Sequence, residues 1–419
     1  MAAAPEPPPI PSFEEARHVV EDHAARLHPR GKELVELLES PGRVLAEPVL
    51  ADRNFPPFPR AMRDGYAVRA SDLSPLPVTL EVVGQIKAGA KTAAPVLQPG
   101  QAAAIMTGAP APPGADAVVM VEHTSLQAHR VQIMKAVAAG DNIVPAGSEA
   151  KRGDRLLSPG LRLDYAAIAV AASAGRRHLL VYRRPQVAVL ATGDEIVDLE
   201  VQPGASQIRN SNSYSLAAQV QAAGGDPILL PIAPDEPSRL RELIADGLEA
   251  DLLLLAGGVS VGKYDLVEQV LAEFQAQFFF TGTLIQPGRP VVFGKAQVGN
   301  GQAGQEEARY FFGLPGNPVS TMVTFELFAR PMLEAVAGMS PRKLVFLHAR
   351  LKSDIKTKTG LQRFLPAILS GEFERAEVEL ARWQGSGDVA SMARADCYIV
   401  IPPDRERIIA GEWVAVLMR

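Results

Sequence analysis

Apolar residues change their spacing along this chain. Residues 13–27 place them at helical intervals, which predicts an amphipathic helix, and Val35, Leu37 and Leu38 continue that surface as helix and loop. Residues 78–124 instead alternate short apolar runs with glycine and proline, as in the short strands of a small β-domain. The apolar surface of this first helix and loop cannot form a hydrophobic core by itself, so we expect it to pack against another part of the chain.

From residue 186 onwards, buried strands alternate with helices. Strands are predicted at 186–192, 227–232, 252–256, 278–285 and 309–314, and helices at 212–223, 236–248, 265–274 and 317–336. This alternation predicts a doubly wound α/β domain with a mainly parallel sheet. Short strands return after residue 338 and predict an all-β C-terminal domain.

The fold class is therefore α/β and multidomain. At about 150 residues per domain, a length of 419 residues predicts roughly three domains. The pattern divides the chain into a mixed helical domain built from two segments, a small inserted β-domain, an α/β domain and a C-terminal β-domain, at residues 1–50 with 140–182, 51–139, 183–338 and 339–419. The helix predicted at 164–174 consists of small residues, which suits close packing against another helix or another subunit.

Charge and cysteine content exclude several classes of protein. The net charge is -5 and no dense basic run occurs, which argues against a nucleic-acid-binding protein. No apolar run approaches the roughly 20 residues that span a bilayer, and the start of the chain lacks the features of a signal peptide. The single cysteine, Cys397, excludes an intramolecular disulfide and fits a reducing cytosol. We expect a soluble cytoplasmic protein with no membrane partner.

Acidic residues recur where the predicted parallel strands end, which is where ligands bind in such sheets. Glu195 follows the first strand, Asp235 follows the second, and Asp265 closes the loop after the third. One carboxylate at a helix N-terminus is usually a cap. Three carboxylates beside a glycine-rich loop favour an oxygen-rich Mg²⁺ site next to phosphates.

The loop after the third strand is the sequence feature around which the site is predicted. Its glycines permit a tight turn and close approach of the backbone to an anion, and the next helix offers free N–H groups. A packing turn between strand and helix is the alternative, and the loop alone leaves both interpretations open. The candidate substrate-binding residues here are Gly257, Gly258, Ser260, Gly262 and Lys263.

Further candidates lie in turns rich in proline and glycine. Asp64 is in a stiff segment at 54–68, which is either a site loop or a plain connector, and Thr107 is either a ligand contact or a turn-forming hydroxyl. After the last strand comes a loop in which Pro318 suits the first turn of a helix. The candidates in that loop are Pro315, Asn317, Pro318 and Ser320.

With these motifs laid out, the chain resembles the molybdopterin molybdenumtransferase family, the MoeA-like proteins related to the E domains of gephyrin and plant Cnx. Six stretches carry the resemblance in the family's order, at 56–58 with 62–68, 105–110, 191–195, 257–262 with Asp265, 286–290 and 314–320. The match covers nearly the whole length.

The resemblance implies an enzyme that hydrolyses adenylylated molybdopterin, releases AMP and inserts molybdate to give molybdenum cofactor. It implies a homodimer whose active site lies between domains of two subunits. The implied partners are the substrates, with the preceding adenylyltransferase and recipient molybdoenzymes as further candidates. Residue by residue, Asp64 and Thr107 match positions that face the cleft from the partner subunit.

The resemblance and the chemistry of phosphoanhydride hydrolysis together suggest the remaining roles. Glu195, Asp235 and Asp265 match the acidic positions of the α/β domain, and the proline loop matches at Pro315, Asn317 and Pro318. Asp235, Asp265 or both would hold Mg²⁺, with Glu195 on the metal, the substrate or an attacking water. Arg289 and Ser320 are candidates for molybdate contacts, and Lys263, Arg289 and Lys295 would supply positive charge.

One stretch departs from the family's usual pattern, and three other interpretations compete. Many members have Ser-Ala-Met before Asp-Gly-Tyr, whereas this chain has Ala61-Met62-Arg63, so a serine hydroxyl is absent and a positive charge is added. The competitors are a molybdopterin adenylyltransferase, a non-catalytic scaffold or carrier on the same fold, and an unassigned α/β nucleotide-binding protein. The first typically carries a Gly-Gly-Thr-Gly turn, whereas this chain has Gly-Gly-Val-Ser at 257–260.

Overall fold

The computed structural model describes residues 10–89, 94–258, 266–298, 307–382 and 385–419. Its α-helices are Phe13–Ala24, Tyr165–Ser173, Ser211–Ala223, Pro237–Leu248, Leu266–Glu273, Pro318–Thr324, Arg330–Val336 and Val389–Arg394. Short 3₁₀ turns occur at Leu37–Glu39, Ala70–Asp72 and Val121–His123. Within these ranges, no helix combines the length and the apolar character needed to cross a membrane.

A doubly wound sheet forms the centre, as predicted. Its six strands, in spatial order, are Asp226–Leu229, Gln186–Ala191, Leu252–Ala256, Glu307–Leu314, Val292–Val298 and Gln277–Phe280. The first four run parallel, and Val292–Val298 runs antiparallel to both of its neighbours, Glu307–Leu314 and Gln277–Phe280. The mainly parallel α/β prediction is therefore confirmed.

The four leucines at 252–255 show why this strand is central. Leu252 and Leu254 pack into the hydrophobic cluster on one face of the sheet, and Leu253 and Leu255 pack into the cluster on the other. A strand covered by helices on both faces reads as a continuous apolar run, because both sets of alternating side chains are buried.

Two elements of this domain differ from the sequence prediction. Val292–Val298 was not predicted, and the strand predicted at 278–285 is two strands. The second of these, Ile285–Gln286, leaves the central sheet and pairs in parallel with Gln362–Ser370 of the C-terminal domain. The apolar run across 278–285 gave no sign of this change of sheet, because residues of both parts are buried.

The helix predicted at 317–336 is interrupted by a π-helical turn at Phe325–Ala329. Pro331 lacks an N–H, so it cannot donate to the carbonyl of Leu327 four residues earlier. The guanidinium of Arg17, from the first helix, donates to that carbonyl instead. The interruption therefore also fixes the first helix to the α/β domain.

The N-terminal region is divided between two cores. Lys32–Glu36 pairs with His178–Tyr182, so Val35 lies on a strand and its assignment to a helix and loop surface is wrong. The first helix instead packs on the α/β domain, where the ring of Phe13 lies 6.0 Å from that of Phe328 and 5.0 Å from that of Phe364. This helix belongs with the core of the predicted 183–338 domain rather than with the rest of the 1–50 segment.

The remaining strands of the N-terminal half form small antiparallel pairs and one six-stranded sheet. The pairs join Val49–Leu50 to Arg155–Leu157 and Arg60–Ala61 to Ile143–Val144. The six-stranded sheet has the spatial order Ala117–Met120, Gly65–Val68, Gln101–Ile105, Val78–Ile86, Arg130–Ile133 and Thr124–Gln127. The predicted small β-domain is therefore present.

Gly65 is required for the packing of this small sheet. A Cβ atom added there would lie 1.9 Å from the carbonyl oxygen of Val119, an atom of the neighbouring strand that cannot move freely. We expect Gly65→Ala to lower the free energy of unfolding by about 3 kcal/mol. Gly84→Ala, on a strand of the same sheet, is the control, because its Cβ would meet only a side-chain atom of Pro95 at 3.6 Å. Equal stability of the two variants in urea unfolding would contradict the prediction.

The C-terminal domain is a closed β-barrel with one added helix. Its strands are Gln362–Ser370, Glu377–Leu380, Phe346–Leu351, Trp413–Met418 and Cys397–Ile401, and the last pairs with the first. A separate pair in this domain joins Ile355–Lys356 to Arg407–Ile408, and a pair in the α/β domain joins Ile196–Val197 to Ile208–Arg209. The all-β prediction missed the helix Val389–Arg394, whose Met392 is buried in the core of the α/β domain.

Candidate active site

A cleft of about 810 Å³ lies at the carboxyl ends of the parallel strands. Strand register explains why its walls meet there. Ala191 is paired with Ala256, Ala256 with Leu314, and Thr192 forms an isolated bridge with Ala233. The turns that follow these residues therefore start side by side. The predicted site residues that line the cleft are Glu195, Asp235, Gly257, Gly258, Pro315, Asn317 and Pro318.

The acidic rim is crowded with like charge. The backbone N–H of Asp235 donates to Asp194 Oδ1 at 3.0 Å, which brings the two residues together. Partial desolvation, and then the charges of Asp194 and Glu195, raise the pKa of the Asp235 carboxyl above its ordinary value. A cation at the rim would relieve this repulsion.

The carboxylates are hard oxygen ligands, the chemistry that Mg²⁺ prefers. In the parts of the chain that the structure describes, no three His, Cys, Asp or Glu side chains are grouped closely enough to hold a metal ion. Two of the three predicted ligands, Glu195 and Asp235, line the cleft. Asp265, together with Ser260, Gly262 and Lys263, lies outside the described residues.

The glycines of the cleft bring backbone close to backbone. Gly257 and Gly258 have positive φ angles of 97° and 66°, which favour glycine. A Cβ on Gly257 would lie 2.7 Å from the carbonyl oxygen of Thr192, so the turn closes tightly on the first strand. In the neighbouring turn, a Cβ on Gly316 would come within 3.7 Å of the Gly257 Cα. The two turns therefore adjoin at the cleft floor.

Asp64 and Thr107 are brought together by the small β-domain. Gly65 is paired with Ile105, so the turn before one strand meets the turn after the other. The Asp64 carboxylate accepts hydrogen bonds from the Thr107 backbone N–H at 2.6 Å and from its hydroxyl at 2.9 Å. These bonds lower the pKa of Asp64. The pair is exposed and does not line the cleft of its own chain.

Three predicted contributors do not line the cleft. Arg289 is exposed beside the cleft residue Pro290, and Ser320 is buried inside the long helix. Lys295 lies in mid-sheet, where it is paired with Tyr310 and close enough to His23 to lower the pKa of that imidazole, after the larger effects of burial and Arg26. Lys295 therefore does not supply charge to the cleft.

The sequence analysis missed two groups of cleft residues. The first group lies where the chain enters the helix Ser211–Ala223, and it consists of Arg209, Ser211 and Asn212. The polar residues just before that helix are the sequence feature that could have indicated this group. Gly387 and Val389 come from the C-terminal domain, next to Ser386, whose carbonyl accepts the Val319 N–H at 2.9 Å. Only the folded structure reveals this second group.

Three family models match this chain, in the same order as the domains described above. The family model described as "MoeA N-terminal region (domain I and II)" matches residues 11–175. The one described as "Probable molybdopterin binding domain" matches 188–335, and the one described as "MoeA C-terminal region (domain IV)" matches 348–418. The class defined by fold and cleft is therefore that of multidomain α/β proteins with a molybdopterin-binding type of domain.

Curated relatives and solved structures agree along the whole chain. A molybdopterin molybdenumtransferase of Nostoc sp. is 36% identical over 98% of this chain and 94% of its own. The Bacillus subtilis protein of that name is 32% identical over 98% and 94%. A crystal structure of a molybdopterin biosynthesis MoeA protein from Pyrococcus horikoshii matches with a TM-score of 0.71 at 31% identity, over 98% of this chain and 99% of the other. This chain belongs to the molybdopterin molybdenumtransferase family.

Proposed function

We propose that this protein inserts molybdate into adenylylated molybdopterin and releases AMP, giving molybdenum cofactor. The observation that carries the proposal is the cleft, which joins an acidic rim to two glycine turns at the carboxyl ends of the parallel strands. Family membership over nearly the full length supports the same reaction. The adenylyltransferase and scaffold alternatives are not favoured.

The residues of the chain have separate tasks in this proposal. Gly257, Gly258 and Gly316 have no side chains, so a phosphoanhydride can approach the backbone closely. Glu195 orients the attacking water, and Asp235 lies beside it on the same rim. Burial, and then the charges of Asp194 and Glu195, raise the pKa of Asp235, so a third negative charge at this rim is unfavourable.

We propose Mg²⁺ as the cation that offsets this charge, held by Asp235 and Glu195 with Asp265. When bound, the ion would neutralise the phosphate oxygens during hydrolysis. The carboxylate chemistry and the charge repulsion at the rim support this assignment. We further propose that the enzyme is cytoplasmic, which the single, buried Cys397 fits. It would receive its substrate from an adenylyltransferase and pass molybdenum cofactor to molybdoenzymes.

We also propose a homodimer whose cleft is completed by the partner's Asp64 and Thr107. The helix Tyr165–Ser173 lies against the turn Leu37–Glu39, and each of the two elements carries a large exposed apolar side chain. Tyr165 is 88% exposed and Leu38 is 85% exposed. Large exposed apolar patches mark interfaces, and these two side chains would contribute to one.

We expect Tyr165→Glu to separate the dimer into monomers and to lower AMP release at least about tenfold, because a charge buried in an apolar interface lacks a partner. The measurement is light scattering coupled to size-exclusion chromatography. Phe373→Glu is the control, since this side chain is fully exposed in the C-terminal domain, away from the surface concerned. A Tyr165→Glu dimer of unchanged stability would contradict the proposed interface.

The decisive experiment is AMP release from adenylylated molybdopterin, with Mg²⁺ and with or without molybdate. Molybdate-dependent release, together with molybdenum in the product, is the expected result. Tight binding of the substrate without release would overturn the proposed reaction in favour of a carrier or scaffold. Turnover of ATP alone would favour a general nucleotide-binding enzyme.

A further inference from the structure

Two polar side chains at the floor of the cleft carry atoms without hydrogen-bond partners. Thr192 is 4% exposed, and its hydroxyl has no partner. Asn212 is 9% exposed; its Nδ2 donates to the Gly316 carbonyl at 2.8 Å, whereas its Oδ1 has no partner. Both residues line the cleft.

Such atoms are uncommon inside folded proteins. Most buried side-chain polar atoms are hydrogen-bonded, and an unpaired one destabilises the folded state. A bound ligand is one way in which this cost is recovered. Here the two unpaired atoms belong to the same cleft, so they are not isolated packing defects.

Their positions relate them to the two glycine turns. The Thr192 hydroxyl lies beside the first turn, 2.6 Å from where a Cβ on Gly258 would stand. Asn212 holds the second turn through Gly316. Because these turns adjoin, the two side chains flank the place where the two turns meet. A few convergent polar groups in such a concavity are typical of ligand sites.

Hydrogen-bond chemistry limits what these atoms can bind. The Asn212 amide is oriented by the Gly316 carbonyl, which requires a donor, so its free Oδ1 can only accept. Its ligand must therefore present an N–H or O–H group. Thr192 can donate or accept. Neither side chain is charged, so neither adds charge to attract the anionic groups of a substrate.

We infer that Thr192 and Asn212 are specificity-determining residues that hydrogen-bond a neutral, donor-bearing part of the substrate, its pterin or its adenosine. The inference rests on the proposed function, because it takes adenylylated molybdopterin as the substrate. The phosphates and the dithiolene of that substrate lack N–H and O–H donors at neutral pH. The pterin and the adenosine both have them, so these two parts fit the free Asn212 acceptor.

Thr192→Val tests the inference, because valine has nearly the same shape and the lost hydroxyl bonds no protein atom. Two separate anaerobic titrations, with AMP and with molybdopterin, distinguish the adenosine from the pterin. We expect affinity for one of them to fall about tenfold, with no loss of thermal stability. Thr192→Ser, which keeps a hydroxyl, is expected to recover most of the affinity.

Thr283→Val is the matched control. The Thr283 hydroxyl is also buried, but it donates to the Pro11 carbonyl at 3.2 Å, outside the cleft. This variant is expected to lose stability and to keep its ligand affinity. Asn212→Ala is expected to lower both stability and affinity, because Gly316 loses its donor, so Thr192 gives the clearer test.

The possible results separate this inference from the proposed function. If Thr192→Val binds AMP and molybdopterin as tightly as the unmodified protein, the inference is overturned while the proposed function stands. A loss of stability like that of Thr283→Val, with unchanged affinity, also overturns it. If the unmodified protein binds neither molecule, the proposed function and the inference fail together.

Discussion

Asp235→Asn is expected to lower AMP release by about 10²-fold or more while making the folded protein more stable at neutral pH. The loss follows if Asp235 helps to neutralise charge in the transition state, since removing one such group typically costs that much. The gain follows because partial burial, and then the charges of Asp194 and Glu195, disfavour the charged form of Asp235. A purely structural carboxylate would not give this opposite pair of effects.

The pH dependence of stability gives a second measurement of the same variant. The pKa of Asp235 is raised in the folded protein above its ordinary value of 3.8, so the unfolded chain loses this proton first. Its contribution to stability is present below pH 3.8 and is lost as the pH rises through the raised pKa. The stability advantage of Asp235→Asn is therefore expected to be larger at neutral pH than in mild acid.

Asp404→Asn controls for the change of charge. Asp404 is an exposed residue of the C-terminal domain that does not line the cleft, and the same substitution there should leave AMP release unchanged. Chemical unfolding at two pH values, with activity measured on the same preparations, completes the comparison. If Asp235→Asn retained full activity, Asp235 would be removed from the proposed mechanism.

The central part of the cleft could be predicted because parallel strands end at the same edge of a sheet. Buried apolar runs locate such strands, and the residues after each run then meet in space. Glu195, Asp235 and the Gly257 turn were found in this way, and the structure lines one cleft with them. The prediction needed no knowledge of side-chain contacts.

Other features depend on contacts between distant segments, which leave no local pattern. The first helix shows amphipathic spacing, but nothing in it indicates that its Arg17 bonds a carbonyl freed by Pro331. Gly387 occurs in a sequence typical of an ordinary surface turn, yet it lines the cleft because Ser386 caps the long helix. Asp64 likewise does not line the cleft of its own chain because of where the small β-domain lies, and no local sequence pattern indicates that position.

A mixed dimer tests whether Asp64 acts on the cleft of the other subunit. Asp64→Asn and Glu195→Gln are each expected to be nearly inactive as homodimers. In a dimer that contains one subunit of each kind, the cleft with intact Glu195 receives an intact Asp64 from its partner. One of the two sites is restored, so the purified mixed dimer should show about half of normal activity.

The matched control pairs two variants of the same cleft. A mixed dimer of Glu195→Gln and Asp235→Asn contains one defect in each cleft, so it should remain inactive. Both mixed dimers can be isolated with two different affinity tags and measured by AMP release. Because the Asp64–Thr107 pair is absent from the cleft of its own chain, recovery in the first dimer alone is expected. Inactivity of both would contradict a shared site and would place Asp64 in another role.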